Sequence, residues 1–351
     1  MLHTILIQKK IISEEEFSNI FDNIKIFKDI FDIDIKGFLK DANASNKKQT
    51  IYKCFDLNVL GLNEIVLKKV DVSNKYKYEN KYIEIIVNPT KLLNKKNSIE
   101  ITKTEDIDEF IVKLDAVLQL LSPGINSCIF WSVKRIDYAR NVRVEQELIP
   151  KYLDLFSRAD NGNLKVQYNY IGKRKKQMKG SFRLFNKSIT INFYNKYDER
   201  INKNKSSEVE DAENVLRLEI QCKKNKVNNI KNKNKWDTNM LLNYLSEEIS
   251  KETLYKYYKK TIGTEDYYSL KKAEEIINKS NMRENKKNKL IQILKLINKK
   301  RSVPGARELY CNDSQFNYYV GELKKLGINP VTLPRAWNIE HLKNVWYLED
   351  L

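Results

Sequence analysis

SITINFYNKYDER, residues 188–200, alternates through its first seven positions and then runs into charge. Successive side chains of a strand point to opposite faces. Ile189, Ile191 and Phe193 therefore make one face, and Thr190, Asn192 and Tyr194 the other. NVLRLEIQC, residues 214–222, reads the same way. Leu216, Leu218, Ile220 and Cys222 point inward, while Arg217, Glu219 and Gln221 point to an open polar face. Two such strands, close in sequence, predict an antiparallel sheet with a core on one side. Pairing them gathers Tyr194, Arg217 and Glu219. In SVKRIDYAR, residues 132–140, the same alternation puts Val133, Arg135 and Asp137 on one face, so a second carboxylate can join the first.

Outward from these strands the pattern is mixed. Ser13 and Glu16 form a capping box before FSNIFDNIKIFKDIF, whose apolar residues recur at helical spacing. YIEIIVNPTKLL (82–93) predicts a strand ending at Asn88-Pro89. Ile107 to Leu121 predicts an amphipathic helix, stopped by Ser122-Pro123-Gly124. NSCIFWSVKRIDYAR (126–140) and NLKVQYNYIGKRKK (163–176) are further strand candidates, and EQELIPKYLDLFSRA between them predicts a helix that Pro150 either kinks or starts. KKNKVNNIKNKNK (223–235) is poor in apolar residues and reads as a linker or exposed basic segment. From Trp236 the pattern is helical, with a final helix around Phe316, Tyr319, Val320 and Leu323 closed by Gly327 and Pro330. The expectation is an α+β protein: an antiparallel-sheet domain with flanking helices over 1–230, then a mainly helical domain over 231–351.

Composition narrows the chemistry. The 351 residues are 41% hydrophobic, which suits a folded chain. Lys and Arg total 64 against 46 Asp and Glu, a net charge of +18, which points to a polyanionic partner and foremost to nucleic acid. A Lys/Asn-rich solvated surface is the plainer account of the same charge. Four scattered cysteines form no CxxC pair, so a reducing cytoplasm is expected. The amino-terminal stretch has no signal-peptide pattern, and no apolar run is long enough for a bilayer, so no membrane association is expected. With His3 and His341 the only histidines, a His-x-His metal pair, a zinc site built on several histidines and, in practice, a Ser-His-Asp triad are excluded. There is no GxxxxGK[ST] loop.

What remains are carboxylates, tyrosines and basic residues, a set that suits phosphodiester chemistry. A tyrosine hydroxyl, with an ordinary pKa of about 10, needs a base or a metal to become a nucleophile. Asp137 and Glu219 are candidate ligands for Mg²⁺ or Mn²⁺, hard ions that prefer oxygen. Each residue also has a plain structural reading. An exposed tyrosine at a strand end is common, Arg217 and Glu219 can be an ordinary polar face, and Asp137 can pair with Arg135 or Arg140.

The order of these stretches resembles the filamentous-phage gene II/X replication proteins and, more loosely, the Rep_trans-type rolling-circle plasmid initiators. YIEIIVNPTKLLNKKN, SVKRIDYAR, ITINFYNKYDER, NVLRLEIQCKKN and, near the end, FNYYVGELKKLGINPVTLPR carry the resemblance. It implies a nicking and joining domain that cuts one strand at a replication origin and stays on the 5′ end through tyrosine. By position, Tyr194 would be the nucleophile and Asp137 and Glu219 the metal ligands. Arg217 and Lys196 would contact phosphate, Arg135 would do so or pair with Asp137, and Glu199 would accept a proton. The implied partners are origin DNA, double- and single-stranded, and a host helicase and polymerase. A homodimer is compatible with it. The acidic insertion SSEVEDAEN (206–214) is expected to be a hairpin loop.

In YNYIGKRKKQMKGSFR, Tyr168 and Tyr170 lie beside Lys173, Arg174, Lys175 and Lys176, the mixture that holds single strands, or simply a soluble hairpin tip. The C-terminal helices are candidates for a helix-turn-helix-like origin reader, or for packing alone. Two rivals stand beside the nicking enzyme. A non-catalytic DNA-binding protein, such as a repressor or partition factor, fits the charge equally but has no need of Tyr194 with two carboxylates. A tyrosine recombinase normally surrounds its tyrosine with more histidine and arginine.

Overall fold

The computed structural model describes residues 1–31, 35–42, 47–55, 57, 61–71, 79–95, 99–167, 170–171, 176–177, 180–202 and 209–350. It is an α+β fold with a large antiparallel sheet and a helical C-terminal region. The strands used below are β1 (Leu2–Ile11), β2 (Ile35–Ala42), β3 (Lys47–Phe55), β4 (Leu62–Asp71), β5 (Glu79–Val87), β6 (Ser132–Arg143), β7 (Lys165–Gln167), β8 (Tyr170–Ile171), β9 (Lys176–Gln177), β10 (Ser181–Phe185), β11 (Ile189–Asn195) and β12 (Val215–Cys222). Ten of them form one sheet in the order β2-β3-β4-β5-β1-β6-β12-β11-β10-β7, and β8 pairs with β9. The helices used below are α1 (Glu14–Phe31), α2 (Pro89–Leu92), α3 (Ile107–Leu121), α4 (Ile149–Ser157), α5 (Lys196–Asn202), α6 (Lys224–Lys233), α7 (Glu247–Thr261), α8 (Leu270–Lys279), α9 (Glu284–Lys300), α10 (Val303–Arg307) and α11 (Asp313–Lys325). No described helix is long and apolar enough to cross a membrane.

By internal contacts the chain groups into two units, and neither is one continuous run of sequence. The first comprises 1–139, 187–189 and 220–252. Its centre is β1, paired antiparallel with β5 from Ile5↔Val87 to Ile11↔Lys81 and with β6 from Leu2↔Tyr138 to Gln8↔Ser132. Ile5, Ile7, Ile83, Ile85 and Val87 are buried with Phe17, Ile20 and Ile24 of α1 and Phe110, Leu114 and Leu118 of α3. Fully burying each such side chain is worth about 1.5–3 kcal/mol. The β1–β6 ladder slips twice, at His3 on β1 and at Lys134 on β6. The second slip corrects the simple alternation: Val133 pairs with Ile7 and Arg135 with Leu6, so Val133 faces away from Arg135 and Asp137.

The second unit comprises 140–186, 190–219 and 253–351. Phe193 of β11 sits in an aromatic cluster, its ring centroid 5.0 Å from Phe156 of α4 and 6.3 Å from Tyr258 of α7. Tyr258 donates its hydroxyl to Asn344 Oδ1 at 2.8 Å, which satisfies its polar end inside the core. Pro150 lies in the first turn of α4 and so starts that helix. Pro304 likewise opens the short α10, so the Pro304-Gly305 break expected from the sequence is itself a helical turn.

Lys224–Lys233, expected as a linker, is helix α6 of the first unit. Val227 and Ile230, three apart on one helix face, are its buried residues. Ile230→Ala should lower stability by about 2–4 kcal/mol in urea denaturation, while Lys231→Ala should stay within about 0.5 kcal/mol. Equal small effects would mean that the segment does not pack.

Candidate functional site

Tyr194 is the penultimate residue of β11, and its neighbour Phe193 is locked in the aromatic cluster. Alternation therefore turns Tyr194 to the other side, where its hydroxyl donates to Glu219 Oε2 of β12 at 3.2 Å. Part of Tyr194 remains exposed. Burial pushes its phenol above the ordinary value, the Glu219 charge adds to that, and Arg217 opposes it. The strand ends at Asn195, and α5 begins at Lys196. Asn195 Oδ1 accepts the backbone N–H of Tyr197 at 3.0 Å, so Tyr197 is held in the first helical turn rather than on the strand.

The polar face of β12 is closed, not open as the alternation implied. Arg217 is 1% exposed and Glu219 9%. Arg217 Nε donates to Asn141 Oδ1 of β6 at 2.7 Å. Lys196 is 3% exposed and donates to Glu199 Oε2 at 2.8 Å, with Nζ 5.7 Å from the Tyr194 ring centre. Burial, aided by the Arg217 charge and opposed by Glu199, lowers the Lys196 pKa to about 7. Glu199 also lies 3.6 Å from Arg200. Glu219, expected as a metal ligand, is therefore the carboxylate on the tyrosine hydroxyl, and Glu199, expected as the proton acceptor, is the partner of Lys196.

Asp137 lies on β6, the strand next to β12 in the sheet. It is 2% exposed and pairs with Arg135 Nη2 at 3.2 Å, as one sequence reading anticipated. Gln221 Nε2 donates to it at 3.4 Å. A ring nitrogen of His3 and a carboxylate oxygen of Asp137, both in the first unit, lie within 4.8 Å of each other. His3 was not assigned to the site from the sequence. The slip at His3 explains its position, because an extra residue in a strand re-aims its side chain. The Thr4 hydroxyl lies 3.1 Å from His3 Nδ1 and braces the ring, as outer contacts of ligating imidazoles do. The signal for it was the run LHTILIQKKI, rich in β-branched residues, which marks a strand carrying a histidine.

An imidazole nitrogen and a carboxylate oxygen suit a divalent cation, and the imidazole shifts the preference from Mg²⁺ towards Mn²⁺. The other assigned residues fall differently. Tyr168, Lys173, Arg174 and Lys175 lie outside the described residues, and Tyr170 and Lys176 are described only as backbone, in β8 and β9. In the acidic insertion, Glu210–Ala212 is one turn of 3-10 helix, and β11 and β12 are neighbours in the sheet despite it.

No protein-family model matches this chain, and no curated protein matches it.

Mn²⁺ should raise the melting temperature of the wild-type chain, and His3→Ala or Asp137→Asn should remove most of that rise. An undiminished rise in both would show that these residues hold no cation. Lys196 gives a second test. Its folded pKa is depressed, so between about 7 and its ordinary 10.5 the unfolded chain binds the extra proton. Stability should therefore rise with pH across that window, by up to about 1.4 kcal/mol per pH unit, and Lys196→Met should flatten the rise. Urea midpoints from pH 6 to 9 would measure it, and identical profiles would place Lys196 in water.

Proposed function

We propose that this chain is a rolling-circle DNA replication initiator that nicks one strand at an origin through Tyr194 and later rejoins it. The observation that carries this reading is the hydrogen bond from the Tyr194 hydroxyl to Glu219. A nucleophile with a carboxylate on its proton is the arrangement that nucleophilic catalysis requires. Tyr194 Oη attacks the scissile phosphorus, its proton passes to Glu219, and the P–O3′ bond breaks, the leaving O3′ taking a proton from solvent to become a 3′-hydroxyl. The product is a 5′-phosphotyrosine, and attack by a 3′-hydroxyl on it reverses the step. Burial alone disfavours the phenolate, so positive charge must offset it, and Arg217 already acts in that direction. His3 and Asp137 would hold a divalent cation, which when bound supplies charge neutralisation at the phosphate. Lys196 and Arg217, buried beside the tyrosine, would meet phosphate oxygens inside the site rather than on the surface. The net charge of +18 supports the polyanionic substrate. A host helicase and polymerase follow from the same reading.

Incubation with supercoiled plasmid carrying the cognate origin, with Mn²⁺ or Mg²⁺, should yield nicked DNA bound to protein on denaturing gels. Tyr194→Phe should lose both nicking and adduct, by at least about 10³-fold. Tyr197→Phe should retain both. Mass spectrometry should find the nucleotide on Tyr194. An adduct on Tyr197, or origin binding without any cleavage, would replace this reading with a different nucleophile or with a non-catalytic DNA-binding protein.

A further inference from the structure

Helix α11 turns Phe316, Val320 and Leu323 into the second unit, where all three are buried. Its outward stripe is Ser314, Asn317, Tyr318, Gly321 and Lys325, at i, i+3, i+4, i+7 and i+11. Tyr318 is 53% exposed, with the Tyr319 ring 5.3 Å from its own. Gly321 is the informative residue. A Cβ there would meet no atom of the described residues within 4 Å, so no packing among them requires glycine. Glycine in a helix interior is nonetheless destabilising, since it loses more backbone freedom on folding than any other residue. A half-buried bare backbone in the middle of a polar stripe leaves room for something outside the chain to come close.

The charge around the stripe says what that is. From Arg283 to Lys325, across α9, α10 and α11, eleven Lys and Arg face four Asp and Glu. Of the four acids, Glu322 is occupied by Lys286 and Lys325. Lys286 also lies over the Tyr318 ring, 5.3 Å from its centre, and brings its charge to the edge of the stripe. Helix α9 packs against α8, α10 and α11 and so gives α11 a rigid base. We infer that the outward face of α11 docks into the major groove of duplex DNA. Ser314 and Asn317 reach base edges, Tyr318 and Lys325 hold the flanking backbone, and Gly321 allows the helix to seat deeply. This inference rests on the proposed origin-directed function and names the surface that meets the duplex.

The test uses full-length Tyr194→Phe protein in EDTA, so that strand cleavage does not enter even where another residue is the nucleophile. Fluorescence anisotropy would follow binding to a 30-bp duplex of random sequence and to duplexes selected from a random pool (about three helical turns, room for one helix and its flanks). Gly321→Gln and Tyr318→Ala should each weaken binding to the selected duplex about tenfold or more. Gly321→Ala should raise the melting temperature by about 1–3 °C, which separates affinity from stability. Lys325→Ala should reduce the slope of log K against log salt by about 0.9. Lys113→Gln, on α3 of the first unit, serves as the control and should change none of these values beyond error. Unchanged affinity in both Gly321→Gln and Tyr318→Ala would overturn the inference. So would a chain that binds single strands but not the duplex, or one that captures an acidic protein through this face instead of DNA.

Discussion

The amino-terminal strand is the constraint on which the sheet depends. β1 pairs with β5 on one side and β6 on the other, and so ties residues 2–11 to residues 79–87 and to residues 132–138. Without it neither neighbour has a partner on that edge, and unpaired backbone groups inside a sheet cost about as much as lost hydrogen bonds. Its two faces do different work. Ile5 and Ile7 enter the core of the first unit, while Thr4 and Leu6 share the face of Asp137 and Arg135. The slip at His3 adds a residue to the polar side at the end nearest Asp137. A regular ladder would have aimed His3 with Ile5 and Ile7, into the apolar side.

The same logic fixes the tyrosine. Phe193 cannot leave the cluster of Phe156 and Tyr258 without opening a cavity, a loss of about 3–5 kcal/mol for a deleted phenylalanine side chain. Tyr194 inherits that rigidity through one peptide bond, and its direction is set by packing on the opposite face. Tyr197 inherits a different constraint, because Asn195 has already turned the chain into α5. Precision of this kind matters for in-line attack, where a displacement of about 1 Å costs around a hundredfold in rate.

What the sequence made legible follows from how far local rules reach. The alternation of 188–194 and 214–222 identified β11, β12 and the turning of Tyr194 towards Glu219, because both strands are regular. The helical periods of α1, α3, α9 and α11 were equally plain. Strand β1 and the three strands β2, β3 and β4 went unread, since runs such as KKQTIYKCF carry lysines at both ends and no clean apolar face. The Lys/Asn stretch 223–235 concealed α6, because two buried residues suffice to anchor ten that are otherwise polar. The slips at His3 and Lys134 leave no mark in sequence at all. They arise from pairing between segments more than a hundred residues apart, and they decide that Val133 leaves the site and His3 joins it. The closed state of the β12 polar face was hidden for the same reason: alternation gives direction, not cover.

The burial of charge is what most sets this region apart from an ordinary sheet. Asp137, Lys196, Arg217 and Glu219 are all nine-tenths buried or more. Taking an ion out of water costs several kcal/mol even after relaxation, and its partner's attraction repays that only with good geometry. Apolar side chains of similar volume would keep β6, β11 and β12 paired as well or better. Stability therefore does not account for four such groups on adjacent strands and the helix that follows them. The proposed reaction at a phosphate would account for them. It would bring negative charge to the buried cations, and electrostatic contacts are strongest where the dielectric is low. Burial lowers the pKa of Lys196 and raises that of Tyr194, the two directions that loss of water imposes on a cationic and an acidic group.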